Sequence, residues 1–159
     1  MFRVVSQDIK MRVLDAVALV LRKKGSHTWS VPSDATVYSA VRMMAEHDVG
    51  ALLVMENNQL VGVVSERDYA RKVILMGRSS RRTAVSKIMG TPLLTISPEC
   101  HVDEALMLMT TNQIRHLPVL SHEKVLGMVS IGDLVTSIVV SQYPKSEHLE
   151  QHIEGQYHY

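Results

Sequence analysis

The chain of 159 residues has a single cysteine, Cys100, so no intrachain disulfide can hold it together, and a reducing compartment suits it. It also lacks a long apolar run. The stretch 13–21 is broken by Asp15 and closed by Arg22-Lys23-Lys24, well short of the ~20 apolar residues that cross a bilayer. Nor does it read as a secretory signal, because the charged start and small-residue cleavage pattern are poorly formed. The run reads as a helix of the folded domain, and the protein as cytoplasmic. No excess charge of one sign is present: a formal net charge of +1 gives no reason to expect nucleic acid or a membrane as partner. There is no Gly-x-Ser-x-Gly elbow, no Walker-type loop and no converging pair of carboxylates, so no catalytic residue is assigned.

What is present is a repeat. Residues 31–69 set against 96–134 without a gap give nine identities in thirty-nine positions, and ten of the thirty mismatches exchange one apolar residue for another. Val37, Ala40, Val41 and Met44 follow the spacing of a helix with one buried face, as do Val102, Ala105, Leu106 and Met109. Short apolar runs at 51–55 and 116–120 predict strands. Polar turns lead to second strands at 60–64 and 125–129, making two hairpins. Second helices follow, with Tyr69, Ala70, Val73 and Ile74 matched by Leu134, Val135, Ile138 and Val139. Extended pieces at 28–31 and 93–96 precede the first helices.

The predicted fold is therefore α/β (α+β): two β-α-β-β-α units packed as a pseudo-two-fold pair, because about forty residues cannot bury enough surface alone. The expected divisions are an N-terminal helix within 1–23, a first unit at 24–76, a linker at 77–90, a second unit at 91–141 and a tail at 142–159. The linker, with Arg78, Arg81, Arg82 and Lys87, is expected on the surface.

The strongest local signal is Gly62-Val63-Val64-Ser65-Glu66-Arg67-Asp68 and its partner Gly127-Met128-Val129-Ser130-Ile131-Gly132-Asp133. Ser at the helix start with Asp three residues on forms a capping box with a shortened acid, which stabilises a helix by ~1 kcal/mol without any ligand. The same geometry offers a helix N-terminus for phosphate and a carboxylate for both hydroxyls of a ribose. Both readings stand at this point.

The duplicated unit with its Gly-x-Val-Ser-x-x-Asp ending resembles a pair of CBS domains, a Bateman module, over roughly residues 24–140. It is similar to small stand-alone bacterial CBS pairs, whose wording 65–71 and 114–119 match. The resemblance implies a regulatory, signal-transducing module that binds an adenosine-containing ligand in clefts between the units: AMP, ADP or ATP first, NAD or S-adenosylmethionine as alternatives, with no metal required. It implies that Asp68 and Asp133 hold ribose hydroxyls beside Ser65 and Ser130, and that Arg67, Arg115 and His116 meet phosphate. The adenine would lie near Lys24, Thr28, Trp29, Val49, Gly50 and Ala51 in one cleft, and near Met89, Leu93, Leu94 and Ile114 in the other. Gly132 stands where the first copy has Arg67, so the clefts are expected to handle phosphate unequally. A homodimer and an effector protein are the implied partners. A ligand-free interaction module and a nucleotide hydrolase are the competing functions.

Other residues carry blander readings. Trp29 is expected to serve packing more than base stacking. Pro118, inside a strand, calls for an edge beside a cleft or a position whose N–H is not needed. Met43, Met44, Met107 and Met109 read as core fillers. His148 and His152, four apart, would make a weak metal pair in a polar tail.

Overall fold

The computed structural model describes residues 15–142, so the paired histidines 148 and 152 lie outside the described residues. Helix α1 (Val17–Lys24) is followed by strand β1 (Ser30–Pro32), helix α2 (Val37–Glu46), strands β2 (Ala51–Glu56) and β3 (Gln59–Ser65), and helix α3 (Glu66–Tyr69). A π-helical turn at Ala70–Ile74 prolongs α3. The second unit carries α4 (Val102–Thr111), β4 (His116–Ser121), β5 (Lys124–Ser130) and α5 (Ile131–Gln142).

The two hairpins form as the alternation predicts, and both bend at the same place. Register slips between Val54 and Met55 and between Val119 and Leu120, opposite Gly62 and Gly127. The first unit completes a sheet in the order β1-β2-β3, with β1 parallel to β2. The second does not: its extended piece is reduced to one bridge, Ile96 to Val119. Pro118 supplies the reason. In the first unit Leu53 donates its N–H to the Trp29 carbonyl at 3.0 Å. Pro118 occupies the equivalent position and has no N–H, so the matching bond to residue 94 cannot form.

Two cores result. Val31, Val37, Ala40, Met44, Leu52, Val54, Val64 and Val73 fill the first; Val102, Ala105, Met109, Leu117, Val119, Val129 and Leu134 fill the second. Each is finished by a segment from elsewhere in the chain. Val17, Val20 and Leu21 of α1 belong to the second core, whereas Val85 and Ile88 of the supposed linker belong to the first. The expectation of a surface linker therefore holds for Arg78, Arg81 and Arg82, which are exposed, and fails for Val85 and Ile88, which are fully buried.

The two insertions are made by the same bonds. Val85 N–H donates to Ala35 O, Ser86 N–H to Ser33 O, and Val37 N–H to Thr83 O. On the other side Val17 N–H donates to Cys100 O, Ala18 N–H to Pro98 O, and Val102 N–H to Asp15 O. These contacts explain the glycine of the signature. A Cβ on Gly62 would lie 2.6 Å from Met89 Sδ, and one on Gly127 would lie 2.8 Å from Leu21 Cδ2. Both are far inside van der Waals contact, so glycine lets the incoming segment lie flat on the bulged strand without displacing those side chains.

Three further expectations need correction. Ala70, Ile74, Val135 and Val139 are exposed, so the second helices bury a narrower face than their spacing suggests. Met44 and Met109 are core residues, but Met107 is 71% exposed. Met89 packs against Gly62 and the first core instead of facing a cleft.

Candidate functional site

The first signature ends β3 and starts α3, where an extended Ser65 turns the chain into the helix. Asp68 Oδ2 accepts from Ser65 N–H at 3.0 Å and from Ser65 Oγ at 2.6 Å, and Asp68 N–H donates back to Ser65 Oγ at 3.3 Å. Its other oxygen pairs with Lys72 Nζ at 2.8 Å. The second signature repeats the box: Asp133 Oδ2 accepts from Ser130 N–H at 2.7 Å and Ser130 Oγ at 2.8 Å. There the lysine comes from α1 instead, with Lys24 Nζ 2.5 Å from Asp133 Oδ2.

Both capping boxes are complete, so the helix-capping reading is realised in the structure. The helix starts are also occupied from outside. Glu66 N–H donates to Gly50 O, and Ile131 N–H to Arg115 O, each bond crossing from one end of a unit to the other. With the N–H groups of Glu66 and Asp68 already used, an anion at α3 must rely chiefly on side chains.

Those side chains surround one cavity of about 260 Å³. Ser65, Glu66, Arg67, Asp68, Arg71 and Lys72 form one wall. Residues 90–94 form the floor through Gly90, Leu93 and Leu94, and the second unit closes it with Ile114, Arg115 and His116. Gly50 sits at the back, where a Cβ would come within 3.6 Å of the His116 ring. Arg67 reaches across the seam to the Gln113 carbonyl at 3.0 Å. The cationic groups of Arg67, Arg71, Lys72 and Arg115 outnumber the acids Glu66 and Asp68, so the cavity favours an anion. His116 is different: burial, then the nearby Lys24 charge, pushes its pKa below the ordinary imidazole value despite the two aspartates. It faces the cavity as a neutral ring at neutral pH.

A second cavity of about 250 Å³ lies between α1 and α5, lined by Val20, Lys23, Lys24, Asp133, Thr136, Ser137 and Val140. Burial opposes ionisation of Asp133, but the bonds from Lys24 and Ser130 outweigh it and hold its carboxyl below the usual range.

The structure thus redistributes the sequence candidates. Leu93, Leu94 and Ile114 line one cavity with Ser65, Arg67 and Asp68; Arg115 and His116, expected beside Asp133 in their own unit, line it too, and Gly50 joins them rather than the other group. Lys24 stands with Asp133. Thr28, Trp29, Val49 and Ala51 line neither cavity. Ala51 is buried in β2, Val49 packs on the first core, and Trp29 does so too while stacking on His47 at 3.5 Å and 6°. Pro118 and Gly132 are also outside both linings, and Ser130 acts through Asp133. Sequence reasoning missed Arg71 and Lys72, although their spacing of three and four from Asp68 places them on its side of a helix.

A family model described as the CBS domain matches residues 27–74 and 85–140. The Arabidopsis thaliana protein called CBS domain-containing protein CBSX3, mitochondrial, is 45% identical over 138 residues, covering 84% of this chain and 66% of its own length. The chain thus spans slightly less than two thirds of that relative. A candidate signal-transduction protein with CBS domains from Burkholderia ambifaria has a TM-score of 0.77 and 41% identity over 84% of this chain and 100% of that one. A hexameric CBS-CP12 protein from bloom-forming cyanobacteria has a TM-score of 0.73 and 26% identity, over 89% of this chain and 82% of its own. With both units matched in the order the repeat dictates, the chain belongs to the CBS-domain family and carries the domain twice.

Proposed function

We propose that the chain is a regulatory module that senses an adenosine-containing nucleotide in the first cavity. The observation that carries this reading is the cavity's construction: a Ser/Asp pair from one unit, an anion-attracting rim from both, and an apolar floor at Leu93, Leu94 and Ile114. Asp68 would take the ribose hydroxyls and displace Lys72, and the freed ammonium would join Arg67, Arg71 and Arg115 around phosphate. The adenine would lie on the apolar floor. A volume of about 260 Å³ is close to the roughly 300 Å³ lower end of ligand pockets, which suits AMP, ADP or ATP with an exposed phosphate chain better than a dinucleotide. Because both units supply walls, a ligand that fits one arrangement better shifts their relative orientation, which is how binding becomes a signal to an effector protein.

The exposed apolar residues on and just after the second helices, among them Ile74, Leu75, Met76, Val139 and Val140, support a homodimer formed through this surface. Sedimentation velocity tests it: a dimer that Leu75→Glu dissociates agrees, and a wild-type monomer refutes it.

Isothermal titration of ligand-stripped protein with AMP, ADP, ATP, NAD and S-adenosylmethionine tests the sensor reading. One adenine nucleotide should bind per chain. Asp68→Ala should weaken it roughly tenfold or more, the equivalent of losing a hydrogen bond to a charged group worth ~1.5–3 kcal/mol. A second reading, a ligand-free interaction module, is favoured by the finished capping boxes and the lysine on each aspartate. It predicts that Asp68→Ala lowers the melting temperature while no nucleotide binds either form.

A further inference from the structure

The exchange of α1 and residues 83–89 divides the chain into two packed bodies, residues 29–90 around the first core and residues 15–24 with 94–142 around the second. Every strand pairing and every ion pair of the described residues stays within one body. So do the backbone bonds that fasten the exchanged segments. Among the described residues, His101 aside, one hydrogen bond runs from body to body: Arg67 Nη1 donates to the Gln113 carbonyl at 3.0 Å. Both residues line the first cavity. The repeat has no second copy of this bond. Asp48 makes the turn that matches Gln113, with φ 51 against 53, but Gly132 stands where Arg67 does and has no side chain to reach it. Otherwise the bodies are joined by the chain itself at 25–28 and 91–93, and by packing such as the His116 ring on Gly50.

We infer that Arg67 is a latch between the two bodies, closed on the Gln113 carbonyl and released by the phosphate of a bound nucleotide, so that phosphate-bearing ligands reorient the bodies and a nucleoside does not. This role rests on the reading of the first cavity as an adenine-nucleotide site and names the group that turns binding there into a signal. The carbonyl offers the guanidinium one neutral acceptor. A phosphate offers it two or three charged oxygens, spaced to accept its planar fork. Gln113 is exposed, so its released carbonyl is met by water and no buried acceptor is left unpaired. A ligand without phosphate, adenosine or S-adenosylmethionine, can use Asp68 and the apolar floor while Arg67 stays on Gln113. Phosphate therefore supplies the differential affinity for the unlatched arrangement that a switch requires.

Pulsed electron paramagnetic resonance reads the opening directly. Nitroxides are attached at the exposed Ala45 of α2 and Thr110 of α4 through Ala45→Cys and Thr110→Cys in a Cys100→Ser background. Labelled chains are diluted into unlabelled protein, so that distances are read within one chain. Saturating AMP should move the distance by more than roughly 2 Å, and saturating adenosine should leave it in place. Arg67→Met, which keeps an apolar arm without donors, should be displaced or broadened before any ligand is added, and AMP should move it no further. If circular dichroism shows Arg67→Met unfolded, Arg67→Gln, with its shorter arm, replaces it. A ligand-free distribution identical to wild type in the Arg67 variant would overturn the latch. So would bound AMP without a shift, as when Nη1 keeps Gln113 while the other N–H groups take phosphate, or an adenosine shift equal to that of AMP. If no adenine nucleotide binds the wild-type protein, the sensor reading falls instead, and the ligand-free comparison still decides whether Arg67 holds the bodies together.

Discussion

Replacing Gly127 with alanine tests the packing that joins α1 to the second unit. The new Cβ would stand 2.8 Å from Leu21 Cδ2 and 3.4 Å from its Cδ1, on a side chain that is itself 7% exposed. Leu21 cannot swing clear without leaving the core, so Gly127→Ala should destabilise by the overpacking cost of about 1–3 kcal/mol. The matching change, Gly62→Ala, meets chiefly the sulfur of Met89, and a flexible thioether yields more easily; about 1 kcal/mol or less is expected there. Leu21→Ala alone should cost about 2–5 kcal/mol through its cavity. Combined with Gly127→Ala it should cost less than the sum, because the added methyl enters the space the leucine vacated. Urea denaturation followed by circular dichroism gives all four free energies. Strict additivity of the two changes, or a neutral Gly127→Ala, would refute the assignment of this glycine to helix packing.

Ser65→Ala and Ser130→Ala each remove a cap and should each cost about 1 kcal/mol in the same denaturation assay. Asp133 titrates below its unfolded value of about 3.9, so its stabilisation is present above that pH and is lost as pH falls through the depressed folded value. Asp133→Asn should flatten the acid limb of the stability curve, and an unchanged limb would count against the Lys24 and Ser130 bonds. His116 is likewise depressed: neutral when buried and protonated more readily when unfolded, it favours folding fully above its unfolded value of about 6.5 and less as pH falls towards its folded value. His116→Gln should therefore reduce the loss of stability between about pH 7.5 and pH 5.5, measured as urea midpoints.

The repeat, the hairpins and the helix faces of Val37 to Met44 and Val102 to Met109 were legible because each is a local periodicity. The crossing segments were not. Val17, Val20 and Leu21 correspond to Val85, Ile88 and Met89, but three additional residues move that match out of the gapless register, so one segment read as a free helix and the other as a linker. Pro118 was recognisable as a strand irregularity, while its effect on the neighbouring piece depended on which carbonyl faced it. Asp68 and Leu94 could each be named from the family resemblance. That they share a cavity depends on how the two units face each other, which no single stretch encodes. Lys24 could be named as a cleft residue, but its pairing with Asp133 was harder still, because sequence spacing does not specify a partner 109 residues away.

The reciprocal insertion of 15–24 and 83–89 also means that no cut between the halves yields two finished pieces. A protease nick in the exposed arginine loop at 78–82 would leave a front fragment holding α1, which belongs to the rear core, and a rear fragment holding Val85 and Ile88, which belong to the front one. Neither fragment can bury its own apolar surface alone, and each carries the missing wedge of the other. The nicked chain should stay together in native solution and separate only on unfolding, and the two fragments expressed apart should find each other. In such a clasp, covalent continuity matters less than the exchange of wedges, and a signal that loosens one half must be felt in the other.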